Sequence, residues 1–227
     1  MLRQSATIKS FNRFFCGVAV AKRRYDPEAA REDILDAAER LFADKGFGDV
    51  STSAIGREAG VSQSQIHYHF ETKRKLWEAV FQRRFAAYFQ AQSATLSRTD
   101  FEGAERMAVS IRDYFRFFQH NPSFVKLMAR ANLETVKHEE PMSSALVHRG
   151  VEVIREGQQG GALRDDVPAE FILLGFLSLV ASWFQYRDRY VPETGLRRKP
   201  SSYDAEYLDF ILKIYLQGIA PGQNVRK

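Results

Sequence analysis

A single cysteine, Cys16, stands in 227 residues, which excludes an internal disulfide framework and any metal site built from several thiolates. Long apolar runs are scarce as well. The longest, Phe171 to Phe184, covers 14 residues between Glu170 and Gln185, short of the roughly 18–20 that a bilayer-crossing helix needs. It reads instead as a helix buried in a core or an interface. No stretch alternates apolar and polar residues with the period of a strand. Signatures of common enzyme sites are missing too: there is no G-x-S-x-G elbow, no phosphate-binding loop and no H-E-x-x-H pair. His67 and His69 lie two apart and do not share a helix face, while His138, Glu139 and Glu140 sit beside Pro141 in what reads as a solvated turn. Neither catalysis nor a metal or cofactor is expected. What remains is an all-α protein of a reducing, cytoplasmic compartment with no membrane segment.

The net charge of +5, from 33 Lys and Arg against 28 Asp and Glu, is concentrated at one end. Residues 1–25 carry Arg3, Lys9, Arg13, Lys22, Arg23 and Arg24 and no acid, so the rest of the chain sums to −1. Basic residues precede Phe14–Ala21, and Ala19-Val20-Ala21 has the shape of a small-residue cleavage site, but eight apolar residues are short for an export signal. Residues 1–25 are expected to be a flexible basic arm, or a start placed too early, with Val18 or Val20 as the alternative initiation point. Across the whole chain, 44% hydrophobic and 27% charged residues describe an ordinary globular protein.

Few prolines and glycines punctuate the chain, and helical periodicity fills the intervals. Asp26-Pro27-Glu28 is a helix start, with Asp as cap, proline at the first helical position and an acid at the positive end. Ile34, Leu35, Ala38, Leu41 and Phe42 then form one apolar stripe, which Lys45-Gly46 ends. A short helix follows over Thr52–Ala59, capped by Ser51, then a turn at Gly60-Val61. Ser62 and Gln65 form a capping box that opens a third helix reaching Phe70. Thr72 caps a fourth, with Leu76, Trp77, Val80, Phe81, Phe85, Tyr88 and Phe89 on one broad face. Five more helices are expected near 101–119, 122–137, 142–158, 168–189 and 203–219, nine in all, with a polar loop over 193–202.

Two short helices joined by a glycine turn and braced by longer ones have the shape of a helix-turn-helix. The second of them presents Gln63, Ser64, Gln65, His67, Tyr68 and His69 within seven positions. A core helix would not carry so many hydrogen-bonding groups, and a merely solvated one would favour Lys and Glu. Gln pairs with adenine edges, Ser and His reach bases or phosphates, and Tyr donates to phosphate. The pattern points to double-stranded DNA.

From Ala29 to Leu76 the sequence resembles the DNA-binding region of the TetR family of bacterial transcription regulators. Ile55, Ala59-Gly60-Val61-Ser62, Ile66, His69-Phe70, Lys73 and Leu76 stand at the family's spacing. Three residues depart from it: His67 replaces a usual phosphate-contacting Tyr, Ser64 a frequent Gly, and Gly56 a frequent Ala. Tyr68 is placed to compensate for the first.

The resemblance implies an N-terminal three-helix DNA-binding domain over 26–76 and a helical effector-binding and dimerisation domain over 77–227. It would set Gln63, Ser64 and Gln65 nearest the bases of a major groove, with Ser51, Thr52, His67, Tyr68 and Lys73 on phosphates and His69 on the same surface. Residues 26–76 hold seven basic and ten acidic side chains, so binding would depend on a few well-placed cations, Lys73-Arg74-Lys75 first among them. The basic arm either lies in the flanking minor groove or is plain disorder. A homodimer on a near-palindromic operator is implied, joined through Leu174, Leu177, Ser178 and Ala181, with Gly175 and Ser182 easing close approach, and through Phe210, Ile211 and Ile214. A small, mostly apolar effector would be lined by Phe85, Phe89, Phe115, Phe118, Met128 and Trp183, with His148 or Asn132 as polar anchor. The expected function is a repressor released by that effector. The alternative is an architectural or protein-interaction factor on the same fold without a small-molecule switch.

Overall fold

The computed structural model describes residues 26–98, 103–133 and 141–221, and every regular element among them is helical. The arm over 1–25, the turn at His138–Glu140 and the end of the helix expected to reach residue 137 lie outside the described residues. Among the described residues there are nine α-helices: α1 (Pro27–Asp49), α2 (Thr52–Ala59), α3 (Gln63–Phe70), α4 (Lys73–Ser97), α5 (Gly103–His120), α6 (Pro122–Leu133), α7 (Pro141–Gln159), α8 (Ala169–Glu193) and α9 (Asp204–Ile219). A short 3-10 turn over Pro200–Tyr203 precedes the last.

Local chemistry accounts for the boundaries. Asp26 Oδ1 accepts from the amides of Glu28 and Ala29, Ser51 Oγ from Ala54, and Thr72 Oγ1 from Lys75, each satisfying orphan donors of a first helical turn. Gly46 breaks α1 at φ 85°, where the sequence places its end, and the chain resumes one further turn to Asp49.

Two apolar cores form. The first gathers Ile34, Ala38 and Phe42 of α1, Ile55, Ile66 and Phe70 of α2 and α3, and Leu76, Trp77, Val80 and Phe81 of α4. Phe42 meets Trp77 edge-on at 4.9 Å. Phe124 and Leu127 of α6 complete this core, so it reaches past the three short-range helices into the body. The second core unites α5, α7, α8 and α9 around Ile111, Phe115, Phe118, Ile154, Phe176, Val180 and Ile211. At 25 residues and mean hydropathy 1.4, α8 is the one described helix long and apolar enough to cross a bilayer, longer than its 14-residue apolar run suggested. Here it packs against α5, α7 and α9.

Candidate nucleic-acid interface and internal cavity

The turn between α2 and α3 depends on two glycines. Gly60 takes φ 70°, in the left-handed region. At Gly56 a side chain would stand 2.8 Å from Val61 O, and Val61 N donates to the Gly56 carbonyl at 2.9 Å. The close approach lets α3 cross α2 with Ile66 and Phe70 buried beneath it and its polar side outward.

On that outward side several expected DNA-contacting groups already have protein partners. The capping box is complete: Ser62 Oγ accepts from Gln65 N, and Gln65 Oε1 accepts from Ser62 N at 2.8 Å. Gln63 Nε2 donates to Thr52 Oγ1 at 3.0 Å, joining α3 to the start of α2. His67 Nδ1 donates to Glu71 O at 3.0 Å, where Glu71 closes the helix at φ 57°. Ser64 is exposed, and Tyr68 projects furthest at 76% exposure, its ring edge-on to half-buried His69 at 5.1 Å.

Lys73 changes most against expectation. Its ammonium donates to Phe47 O at 2.7 Å and Val50 O at 2.9 Å and lies 4.2 Å from the Phe47 ring. Carbonyls at the end of a helix need donors, and Lys73 supplies two, so it braces the end of α1 instead of standing out toward phosphate. Arg74 and Lys75 pair with Glu78 and Glu71 one turn away along the chain. The expected basic cluster is thus balanced in place.

Behind this unit, α4 runs without interruption into the body. Arg83 and Arg84 both donate to buried Glu39 of α1, at 2.8 and 2.6 Å, in a cluster that the exposed Glu32 and Asp36 extend to the surface. On α6, Arg130 donates to Asp44 O at 2.7 Å and Lys126 lies 3.3 Å from the Asp44 carboxylate. Two helices of the body therefore grip α1.

Beyond that grip α4, α5, α6, α7 and α8 enclose a cavity of about 320 Å³. Phe85, Phe118 and Met128 line it as expected, but Phe89, Phe115 and Trp183 do not. Phe115 is buried against Phe184 at 4.7 Å. Trp183 stacks on Tyr207 at 3.9 Å and donates to Asp204 at 2.9 Å, a contact that turns it away. His148 is exposed and off the wall; the Asn132 side chain lies outside the described residues. The polar groups of the wall among the described residues are others: Tyr88 and Gln92 of α4, Arg106, Ser110 and Tyr114 of α5, and Ser178 of α8 at the rim. Burial pushes both phenols well above their ordinary pKa, with Tyr114 and Asp113 adding to the effect at Tyr88, so both stay protonated donors. The sequence held a signal for them, since Phe85, Tyr88, Gln92 and Leu96, and Arg106, Ser110 and Tyr114, recur at three or four on otherwise apolar faces.

The expected dimer residues divide. Leu174, Phe210 and Ile214 are exposed, with Phe171 beside them and the small Ser178 and Ser182 also outward. Leu177 and Ala181, by contrast, line the cavity, and Ser178 reaches its rim. Ile211 is fully buried, one position and about 100° round the helix from Phe210. These three, Leu177, Ala181 and Ile211, point inward because α8 and α9 must also close the body.

Residues 34–80 match the family model of bacterial regulatory proteins of the tetR family, and residues 104–208 match a tetracyclin repressor-like C-terminal domain. Over 205 residues the chain is 28% identical to the HTH-type transcriptional repressor NicS of Pseudomonas putida, spanning 87% of this chain and 95% of that one. A TetR family transcription regulator from Marinobacter aquaeolei shares the fold with a TM-score of 0.68 at 19% identity, covering 86% and 97% of the two chains. A SmeT–triclosan complex does so at 0.61 and 18%, covering 86% and 93%.

Proposed function

This chain belongs to the TetR family of bacterial transcription regulators, and from that premise we propose that it is a cytoplasmic dimeric repressor released from its operator by a small, mostly apolar ligand. One observation carries the reading: the cavity wall and the DNA-binding unit share α4. That helix has 25 residues, a continuous rod of about 37 Å. Phe85, Tyr88, Gln92 and Leu96 at one end face the cavity, and Lys73 at the other holds the end of α1.

In the proposed cycle α3 enters the major groove with Ser64 and Tyr68 foremost, and the amides opening α2 and α3 meet phosphates. The exposed stripe of Phe171, Leu174, Phe210 and Ile214 joins two copies, setting two recognition helices about 34–36 Å apart for successive grooves. A ligand favouring a different seat of α4 moves α1 through the Arg83–Arg84–Glu39 cluster and shifts the population away from that spacing. SmeT, which shares the fold, forms a complex with triclosan, and a small-molecule ligand on this fold supports the reading.

A mobility-shift assay with intergenic DNA beside the chain's own gene tests this. A sequence-specific complex of two protomers, dissociated by a small apolar molecule, is the expected result. A specific complex that no such molecule dissociates would leave DNA binding without a switch and overturn the repressor-release cycle.

A further inference from the structure

The cavity is not uniform along its length, and the unevenness specifies a ligand class. Phe85 and Leu96 mark its two ends on α4, eleven residues and so about 16 Å apart. At the Phe85 end the wall is Phe117, Phe124 and Met128, all in or against the first core. At the Leu96 end lie Gln92, Arg106 and Ser110. Gln92 Nε2 donates to the Ser110 carbonyl at 3.2 Å, and Arg106 sits one turn from Ser110 on α5, so the three line the same end of the cavity.

Ser110 is only 4% exposed, yet its hydroxyl has no hydrogen-bond partner among the described residues, on the wall of the cavity. A buried polar atom left unsatisfied is unfavourable, and a ligand oxygen would complete it. Arg106, with its side chain 13% exposed, contributes the single charge of the wall among the described residues. Among its partners is Glu156, 3.8 Å away, more than half exposed and shared with Arg149. No carboxylate lines the cavity among the described residues. Asp113, the acid that acts on Tyr88 from behind the wall, is engaged by Thr95 and Arg116. A cation entering here would be buried unpaired, whereas an anion would meet a guanidinium.

We propose that the effector is an elongated apolar molecule with one carboxylate-type anionic head, held head-first by Arg106 and Ser110 with its tail on Phe85, Phe117, Phe124 and Met128. This rests on reading the cavity as the effector site. The head lies remote from the DNA-binding unit, and the tail presses on the part of the wall shared with the first core. The tail then shifts the helices and the head sets specificity.

Calorimetric titration of the full chain at pH 7.5 with decanoate, decan-1-ol and decylamine tests it, since the three differ only in the head. Decanoate should bind at least tenfold more tightly than decylamine. Arg106→Gln should weaken decanoate about tenfold and leave decan-1-ol within twofold; Arg106→Lys should restore part of the loss, and Ser110→Ala should weaken decanoate about threefold. Circular dichroism matching the wild type shows that each variant folds. Decylamine binding as tightly as decanoate, or Arg106→Gln weakening both heads equally, would overturn the anionic head while leaving the cavity as an effector site. Failure of all three to bind, or binding that persists when Ala181→Phe fills the cavity, would overturn the effector-site reading itself and the proposal with it.

Discussion

The first core, around Phe42 and Trp77, keeps its polar side chains on the outside, whereas the body around the cavity takes several of them in. Of the buried polar side chains among the described residues, Gln92, Thr95, Ser110 and Asp204 belong to the body and Glu39 alone to the DNA-binding unit, where two arginines hold it. The aromatic rings of the first core interlock at 4.9 to 5.8 Å; those of the body surround about 320 Å³ of space. Close packing gives one well-defined arrangement, and an unfilled wall admits several. A reading surface needs the first property and a responsive one the second.

Leu127 and Met128 allow the sharpest test, being neighbours on α6 of which Leu127 is fully buried in the first core and Met128 lies between the two cores on the cavity wall. Leu127→Ala should destabilise by about 3 kcal/mol, because a fully buried side chain leaves a new void. Met128→Ala only enlarges a space already present and should lose about 1 kcal/mol. Equal losses in urea denaturation would mean that the body is as tightly specified as the first core. Next in size is Glu39→Ala, which strands Arg83 and Arg84. It should lose about 2 kcal/mol, below the value for a fully buried pair because Arg84 is partly exposed, and it should also blunt ligand-induced release of DNA.

Lys73→Ala should lower stability by about 1–2 kcal/mol through its two carbonyl bonds, while the salt dependence of DNA binding stays nearly constant. A salt slope shallower by about one unit, with stability unchanged, would return Lys73 to the phosphate backbone. Smallest in its effect on the fold is Tyr68→Phe. Stability should hold within about 0.5 kcal/mol, and operator affinity should fall by about 1 kcal/mol, roughly fivefold, in a fluorescence-anisotropy titration.

Much of the helix-turn-helix was legible because its determinants are local. The caps at Asp26, Ser51, Ser62 and Thr72, the left-handed turn at Gly60 and the capping box each act within four residues, and all stand where their spacing placed them. The direction of Lys73 was not legible: its partners lie 26 and 23 residues earlier, and nothing around Lys73 marks them. The side of α8 that faces inward was hidden for a different reason. A helix apolar nearly all round carries no period to say which face closes the body, so Leu177 and Ala181 were expected at a partner and line the cavity instead. The polar groups of that wall follow a helical spacing on α4 and α5, but that these two faces meet each other around a cavity depends on contacts between residues far apart in the chain, as between Gln92 and Ser110.

The unfilled space in the body has a consequence for how long the protein lasts. Any molecule that occupies the cavity of the folded chain and not the unfolded one stabilises the former by mass action, about 2.7 kcal/mol at a hundredfold excess over its dissociation constant. Unfolded chains are what cellular proteases remove. The ligand that frees the operator would therefore also lengthen the lifetime of the regulator it disarms, leaving a larger pool ready to rebind as soon as the ligand is consumed.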